Sequence, residues 1–270
     1  MKPVILMRTS LSEEAELHSC QQHFDVYQNR TLIPEGSLVI GRYSVVPFYK
    51  ELEDDLKCRN CTLINSYNQH RWIADLREWY EDFKDITPKT WFSLESLPEN
   101  EGPYILKGET NSRKFDWNTH MFAANKKEAI QVYLRLSSDG LVGQQNIYIR
   151  KYEPLVKLLD GFGGLPISEE YRFFILDRQV LSGGFYWSSH TDDLTTIPSP
   201  ASVPQEFLEQ VIDRIGFNVR FVVVDIARKV DGTWMVVELN DAQQSGLSDN
   251  KPDHLYSEMK KVLSFFGTNT

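Results

Sequence analysis

The 270 residues are 41% hydrophobic, 25% charged and 12% aromatic, the balance of an ordered globular chain forming one large domain or two to three small ones, and not of a disordered or fibrous chain. A formal net charge of −9 disfavours general nucleic-acid binding, because that affinity comes from Lys and Arg displacing counterions from phosphates. No apolar run approaches the roughly 20 residues of a membrane span, and MKPVILMRTS holds too short an apolar stretch for a signal peptide, so the chain is expected to be soluble and cytoplasmic.

Val4 to Met7 reads as a buried strand. A helix over SEEAELHSCQQ follows Ser12, whose capping box is imperfect because Ala15 stands three residues on. Ser37 to Ile40 is the expected second strand, and Arg42 and Tyr43 after it either contact an acceptor substrate or form a surface turn. Cys20, Cys58 and Cys61 make an odd count without a disulfide framework. Cys58 and Cys61 form a lone CxxC, to which His70 is the only nearby further ligand, short of a tetrahedral zinc set. From Gln69 to Phe83, the residues Trp72, Ile73, Leu76, Trp79, Tyr80 and Phe83 recur at helical spacing, and Pro88 in ITPKT stops the pattern. A first subdomain therefore spans residues 1–87.

Tyr104-Ile105-Leu106 is a short strand delivering Lys107 into a turn, Lys126 to Arg135 a helix, and Asn146 to Tyr152 another strand. Gly161, Gly163 and Gly164 in DGFGGLP lack the strand-to-helix frame of a phosphate loop and predict a flexible connector. Arg172 to Leu176 pairs with Gln179 to Gly183, the helix VPQEFLEQVIDRIG follows, and RFVVVDIARKVDGTWMVVELN forms a hairpin turning at Asp231-Gly232. The class is α+β, mostly antiparallel in its C-terminal half.

In that hairpin Asp225 ends or nearly ends the first strand, while Glu238 and Asn240 share a face of the second. Three oxygen ligands of this kind suit magnesium, which is held by one or two carboxylates plus substrate phosphates. Taken alone they also fit ordinary hairpin-end residues paired with Arg228 and Lys229. Lys107, Lys114, Arg150, Lys151 and Arg172 supply cations at other strand ends, which a metal-bound triphosphate requires.

The order PYILK, YIRKYEPL, EEYRFFIL, FVVVDIA, VVELNDAQQSGL resembles the ATP-grasp superfamily over roughly residues 87–250, closest to its RimK-like branch and to the clade in which conserved Arg and Lys positions are exchanged. The resemblance implies two α+β lobes clasping a nucleotide, residues 88–155 and 156–270, behind a small Rossmann-like α/β domain over 1–87. It implies that Lys107 contacts the nucleotide phosphates, that the backbone of Arg150, Lys151, Tyr152 and Glu153 recognises adenine, and that Arg172 steadies the terminal phosphate. It makes Asp225, Glu238 and Asn240 the ligands of magnesium, two ions in all. The loop GETNSRKFDW has one glycine, which assigns phosphate holding to Ser112, Arg113 and Lys114. That loop is either a lid ordered by nucleotide or a fixed loop pinned by Phe115 and Trp117. Upstream, His70 and Arg71 stand where a further nucleotide lysine is usual.

The implied reaction is carboxylate activation by ATP to an acylphosphate, then displacement of phosphate by an amine, with Lys107 and Arg172 stabilising the transferred charge. Its partners are ATP, a carboxylate donor and an amine acceptor, a peptide or protein terminus being one candidate. Another ATP-driven ligation or phosphorylation, RNA end sealing included, is the rival within enzymes, and a noncatalytic nucleotide-binding module the rival outside them.

Overall fold

The computed structural model describes residues 1–8, 14–43 and 47–266, so the Ser12 cap lies outside the described residues. The N-terminal part builds a parallel sheet from β1 (Pro3–Met7), β2 (Asp25–Tyr27), β3 (Leu38–Arg42) and β4 (Thr62–Leu63), in the order β2-β1-β3-β4. Helices α1 (Glu14–His23) and α2 (Tyr49–Lys57) connect its strands. PVILM and LVIGR are buried along nearly their whole length, as strands of a covered parallel sheet must be. The strand read from Ser37 to Ile40 is thus third in the chain. The three-residue β2 before it has no apolar run to announce it.

The single helix expected from Gln69 to Phe83 is two, α3 (Tyr67–Ala74) and α4 (Leu76–Phe83). Ser66 and Gln69 form a capping box at the start of the first. Asp75 breaks the run in extended conformation and accepts from the Arg77 N–H at 2.9 Å, capping the second.

A second sheet follows, antiparallel in the order β5-β8-β6-β7, made of β5 (Thr90–Trp91), β6 (Tyr104–Gly108), β7 (Phe122–Ala123) and β8 (Ile147–Lys151), with α5 (Lys126–Ser137) packed on it. Along β6, Tyr104 and Leu106 are buried in that core, and the alternation of a strand sends Ile105 and Lys107 to the opposite side. Lys107 therefore sits within the strand and not in a turn beyond it.

A small hairpin, β9 (Lys157–Asp160) with β10 (Pro166–Ser168), leads to a third sheet. This is antiparallel in the order β12-β11-β13-β14, formed by β11 (Glu170–Leu176), β12 (Gln179–Phe185), β13 (Phe221–Arg228) and β14 (Trp234–Asp241). Helix α6 (Gln205–Ile215) precedes β13, and α7 (Pro252–Phe266) closes the described chain. One face of this sheet, with Tyr171, Phe173 and Val224, joins a core with Trp79 and Phe83 of α4. The other face is divided along its length. At one end Phe174, Leu176, Phe221 and Val223 share a core with α7 and with Ile5 and Ile40 of the parallel sheet. At the other end the same face carries charges.

Candidate active site

The charged end of the third sheet is a cross-strand row. Arg172 pairs in register with Asp225, and Asp225 with Glu238. Asp225 lies in the interior of β13, 1% exposed, and not at its end. A carboxylate inside a fully covered strand requires a partner, and Arg172 supplies one, donating Nε to Oδ1 and Nη2 to Oδ2 at 2.8 Å each. The remaining guanidinium nitrogen, Nη1, donates to the Gly246 carbonyl at 2.9 Å. A register shift between Asp225 and Ile226 leaves Val237 of β14 unpaired as a bulge. Its consequence is that Val237 and Glu238, consecutive residues, both line the cleft. Arg150 holds the bulge by donating to the Val237 carbonyl at 2.5 Å and to the Thr87 hydroxyl at 2.7 Å.

Opposite this row stands β6. Lys107 forms an ion pair with Glu238. Burial pulls the Lys107 ammonium below its ordinary pKa, and Glu238 only partly restores it. Burial would raise the Glu238 carboxyl, but Lys107 and the neighbouring cations hold it low. The Asn240 amide nitrogen lies 3.4 Å from Asp225 Oδ2. Two carboxylates and an amide on one face are a donor set that fits a hard, oxygen-preferring cation such as magnesium. Among the described residues no group of three His, Cys, Asp and Glu side chains forms such a site, so an ion here depends on Asn240 and on phosphate oxygens.

Two cavities meet at this point. One, of ≈ 180 Å³, is an apolar slot with Ile105, Met121, Met235 and Val237 among its walls, and Lys151, Tyr152 and Glu153 along its edge. The N–H groups of Lys151 and Tyr152 already donate to the carbonyls of Lys89 and Pro103. The other, of ≈ 800 Å³, is polar, with His70, Arg172, Asn240 and Gln244 in its lining. Lys107, Ser112, Lys114 and Glu238 line both.

The loop after β6 departs from expectation. Arg113 is spent in a bidentate pair with Asp139, at 2.7 and 2.6 Å, and does not face the cleft. Lys114, in a 3-10 turn over Lys114–Asp116, donates to the Tyr186 hydroxyl and lies over the Tyr186 and Trp187 rings. Phe115 is 75% exposed and pins nothing. The loop is instead held by Trp117, stacked near Phe122, and by Asn118, which donates to the Gly163 carbonyl at 2.9 Å. DGFGGLP is thus the tip of the β9–β10 hairpin and receives this loop. Gly163 and Gly164 have positive φ, and a Cβ there would lie 2.9 Å from the Phe115 carbonyl oxygen and 2.7 Å from Asn118 Nδ2.

Other sequence candidates belong to the framework. Arg42 is buried and bonded to Glu16, Tyr256 and the Ala242 carbonyl, so it is closed to an acceptor. Arg71 faces Asp75 at 3.6 Å. Cys58 is exposed, while Cys61 is buried against the Pro34 carbonyl.

Glu170 and Tyr186 were not read from the sequence. Glu170 shares a face with Arg172 by the two-residue strand period, a signal present in EEYR; Tyr186, whose ring lies 4.8 Å under the Arg172 guanidinium, has no such signal. Burial pushes the Glu170 carboxyl up to about 7, with Lys114 opposing. Because the folded state keeps this proton where the unfolded chain has lost it, the contribution to stability is full below the ordinary value of 4.5 and is lost as pH rises through about 7. The loss is on the order of 3 kcal/mol. Comparing urea denaturation of the wild type and Glu170→Gln should show it as a difference that grows between those pH values. A difference independent of pH would refute the assignment.

The family model R2K_3, an ATP-grasp domain of that clade's family 3, matches residues 95–259. Among solved structures, the chain is similar to a RimK-domain ATP-grasp protein from Sphaerobacter thermophilus, at 16% identity and TM-score 0.57, covering 96% of this chain and 99% of that one. It is similar to the D-cycloserine synthetase DcsG at 11% identity and TM-score 0.60, covering 97% and 99%. The D-alanine–D-alanine ligase from Bacillus anthracis complexed with ATP gives 12% identity and TM-score 0.58, covering 99% and 98%. No curated protein matches. Among the described residues no helix is long and apolar enough to cross a membrane.

Proposed function

The chain belongs to the R2K_3 family of ATP-grasp domains, and from that membership we propose that it is an ATP- and magnesium-dependent ligase joining a carboxylate to an amine through an acylphosphate. The observation that carries this reading is the meeting of the two cavities. A phosphoryl group placed where Lys107, Ser112, Lys114 and Glu238 line both cavities is reached by a nucleotide from the apolar slot and by a carboxylate from the polar cavity. The likeness to a D-alanine–D-alanine ligase and a D-cycloserine synthetase supports small amino-acid-like substrates. In this reading residues 1–87 are a Rossmann-like domain and 88–155 and 156–270 are the two lobes.

Transfer of the γ-phosphoryl group asks the protein mainly to position and to neutralise charge. The adenine lies in the slot along Lys151 to Glu153. Lys107, Lys114 and Arg172 exchange their present partners for phosphate oxygens, which releases carboxylate oxygens of Glu238 and Asp225. Asp225, Glu238 and Asn240 would hold magnesium, which when bound offsets phosphate charge. Arg150 acts through the bulge, keeping Glu238 aimed at the cleft.

Lys107→Ala should weaken ATP binding about 10- to 100-fold, the worth of a charge-assisted hydrogen bond, and leave adenosine binding nearly unchanged. Calorimetric titration with both ligands checks this, and a larger effect on adenosine contradicts the role. Incubation with magnesium-ATP and amino-acid pairs tests the reaction itself: ADP with a new amide supports it, whereas AMP with a joined product, or binding without turnover, replaces it.

A further inference from the structure

We infer that His70, oriented by Asp241, is the catalytic proton acceptor for the incoming nucleophile; the inference rests on the ligase reading above. His70 is on α3, 7% exposed, with its ring stacked flat on Tyr49 at 4.0 Å between centroids and 7° between planes. Its Nδ1 lies 3.0 Å from Asp241 Oδ2. The other oxygen of Asp241 accepts from the Asn65 amide and the Gln243 N–H, both at 3.0 Å. A carboxylate used throughout as an acceptor requires the imidazole to donate, so Nδ1 carries the proton and Nε2 the lone pair. The Gln244 amide approaches Nδ1 only to 3.4 Å, too far to compete.

Nε2 bonds to no described residue, yet it is not among the buried atoms lacking a partner. The His70 side chain lines the polar cavity that Lys107, Arg172, Glu238 and Asn240 also line. Of the carboxylates in that lining, Glu238 is paired with Lys107, Glu109 accepts from Asn146 at 2.9 Å, and Asp241 is filled by its donors. Each of these carboxylates already carries a donor, whereas no described residue engages the Nε2 lone pair of His70. A base held by hydrogen bonding to a third group, beside the place where an acyl group is formed, is the arrangement that nucleophile activation needs.

The step balances. The amine arrives as an ammonium and passes one proton to Nε2, the freed lone pair on nitrogen bonds to the acyl carbon, the carbon–oxygen bond to phosphate breaks, and phosphate leaves with the electron pair and takes the second proton from nitrogen. The resulting imidazolium is stabilised by Asp241.

His70→Asn keeps a donor at the Nδ1 position for Asp241 and deletes Nε2, so it tests the proton acceptor and not the buried tie. Wild type and variant are given magnesium-ATP with the twenty common amino acids and D-alanine as donors. The nucleophile is either hydroxylamine, neutral at pH 7, or the amino groups of the same amino acids, which are ammonium at pH 7 and must first give up a proton. The ratio of amide to hydroxamate should fall about 100-fold or more in the variant; an unchanged ratio overturns the inference, whether both products fall together or neither does. Nitrogen-15 spectra of the histidines in the full wild-type chain need neither substrate nor variant: a proton on Nδ1 of neutral His70 supports the inference, and a proton on Nε2 overturns it. A wild type that forms neither product from any donor counts against the ligase reading, and the tautomer is still decided by the spectrum.

Discussion

Glu238→Gln should lower turnover by roughly two orders of magnitude or more, since it removes one charge from the site where phosphate charge is offset. The sequence alone suggests little effect on stability, because a metal site is not a core. The ion pair with Lys107 changes that expectation. A neutral amide leaves a buried ammonium without its anion, and Lys107 is already drawn below its ordinary pKa by burial. Lys107 and Glu238 keep 13% and 21% of their side-chain exposure, so the cost should stay below that of a fully sealed pair, about 1–3 kcal/mol. Coupled assay of ADP release and urea denaturation measure the two effects separately. Unchanged turnover would sink the assignment of Glu238, while unchanged stability would show that Lys107 relaxes into the cavity.

What the sequence concealed has particular physical reasons. The hairpin from Phe221 to Asp241 was legible because alternation and the Asp231-Gly232 turn are local signals. The interior place of Asp225 was not, because β13 tolerates a buried carboxylate only through Arg172, 53 residues away in the chain. The bulge at Val237 is likewise invisible locally, since one extra residue looks like ordinary strand. It matters most of all to the site, because it turns Val237 and Glu238 to the same cleft. The break at Asp75 was hidden by apolar residues that keep helical spacing across it, although an aspartate before LREWYEDF is itself a capping signal. Arg113 read as a phosphate contact from composition alone, and its partner Asp139 lies just beyond the end of α5. Positions of single charges were thus readable, whereas their partners depended on the third dimension.

The Arg172–Asp225 pair should separate folding from catalysis. Arg172 is 11% and Asp225 1% exposed at the side chain, and they meet through two parallel hydrogen bonds. Asp225→Leu strands a guanidinium and Arg172→Met strands a carboxylate, so each single change should cost about 3–5 kcal/mol. The double replacement removes both desolvated charges and leaves two apolar side chains of similar bulk. It should therefore recover most of that loss, because a buried pair exchanged for apolar residues is commonly neutral or stabilising. Turnover should not recover. Arg172 would be missing from the transferred phosphoryl group and Asp225 from the cation beside it, and the loss of one such electrostatic contact alone is about 100- to 1,000-fold. Urea denaturation across the four proteins gives the coupling energy, and ADP release gives the activity of each. A double variant as unstable as the singles would mean that the row holds the sheet by geometry and not by charge pairing. A double variant that regains turnover would remove both residues from the reaction.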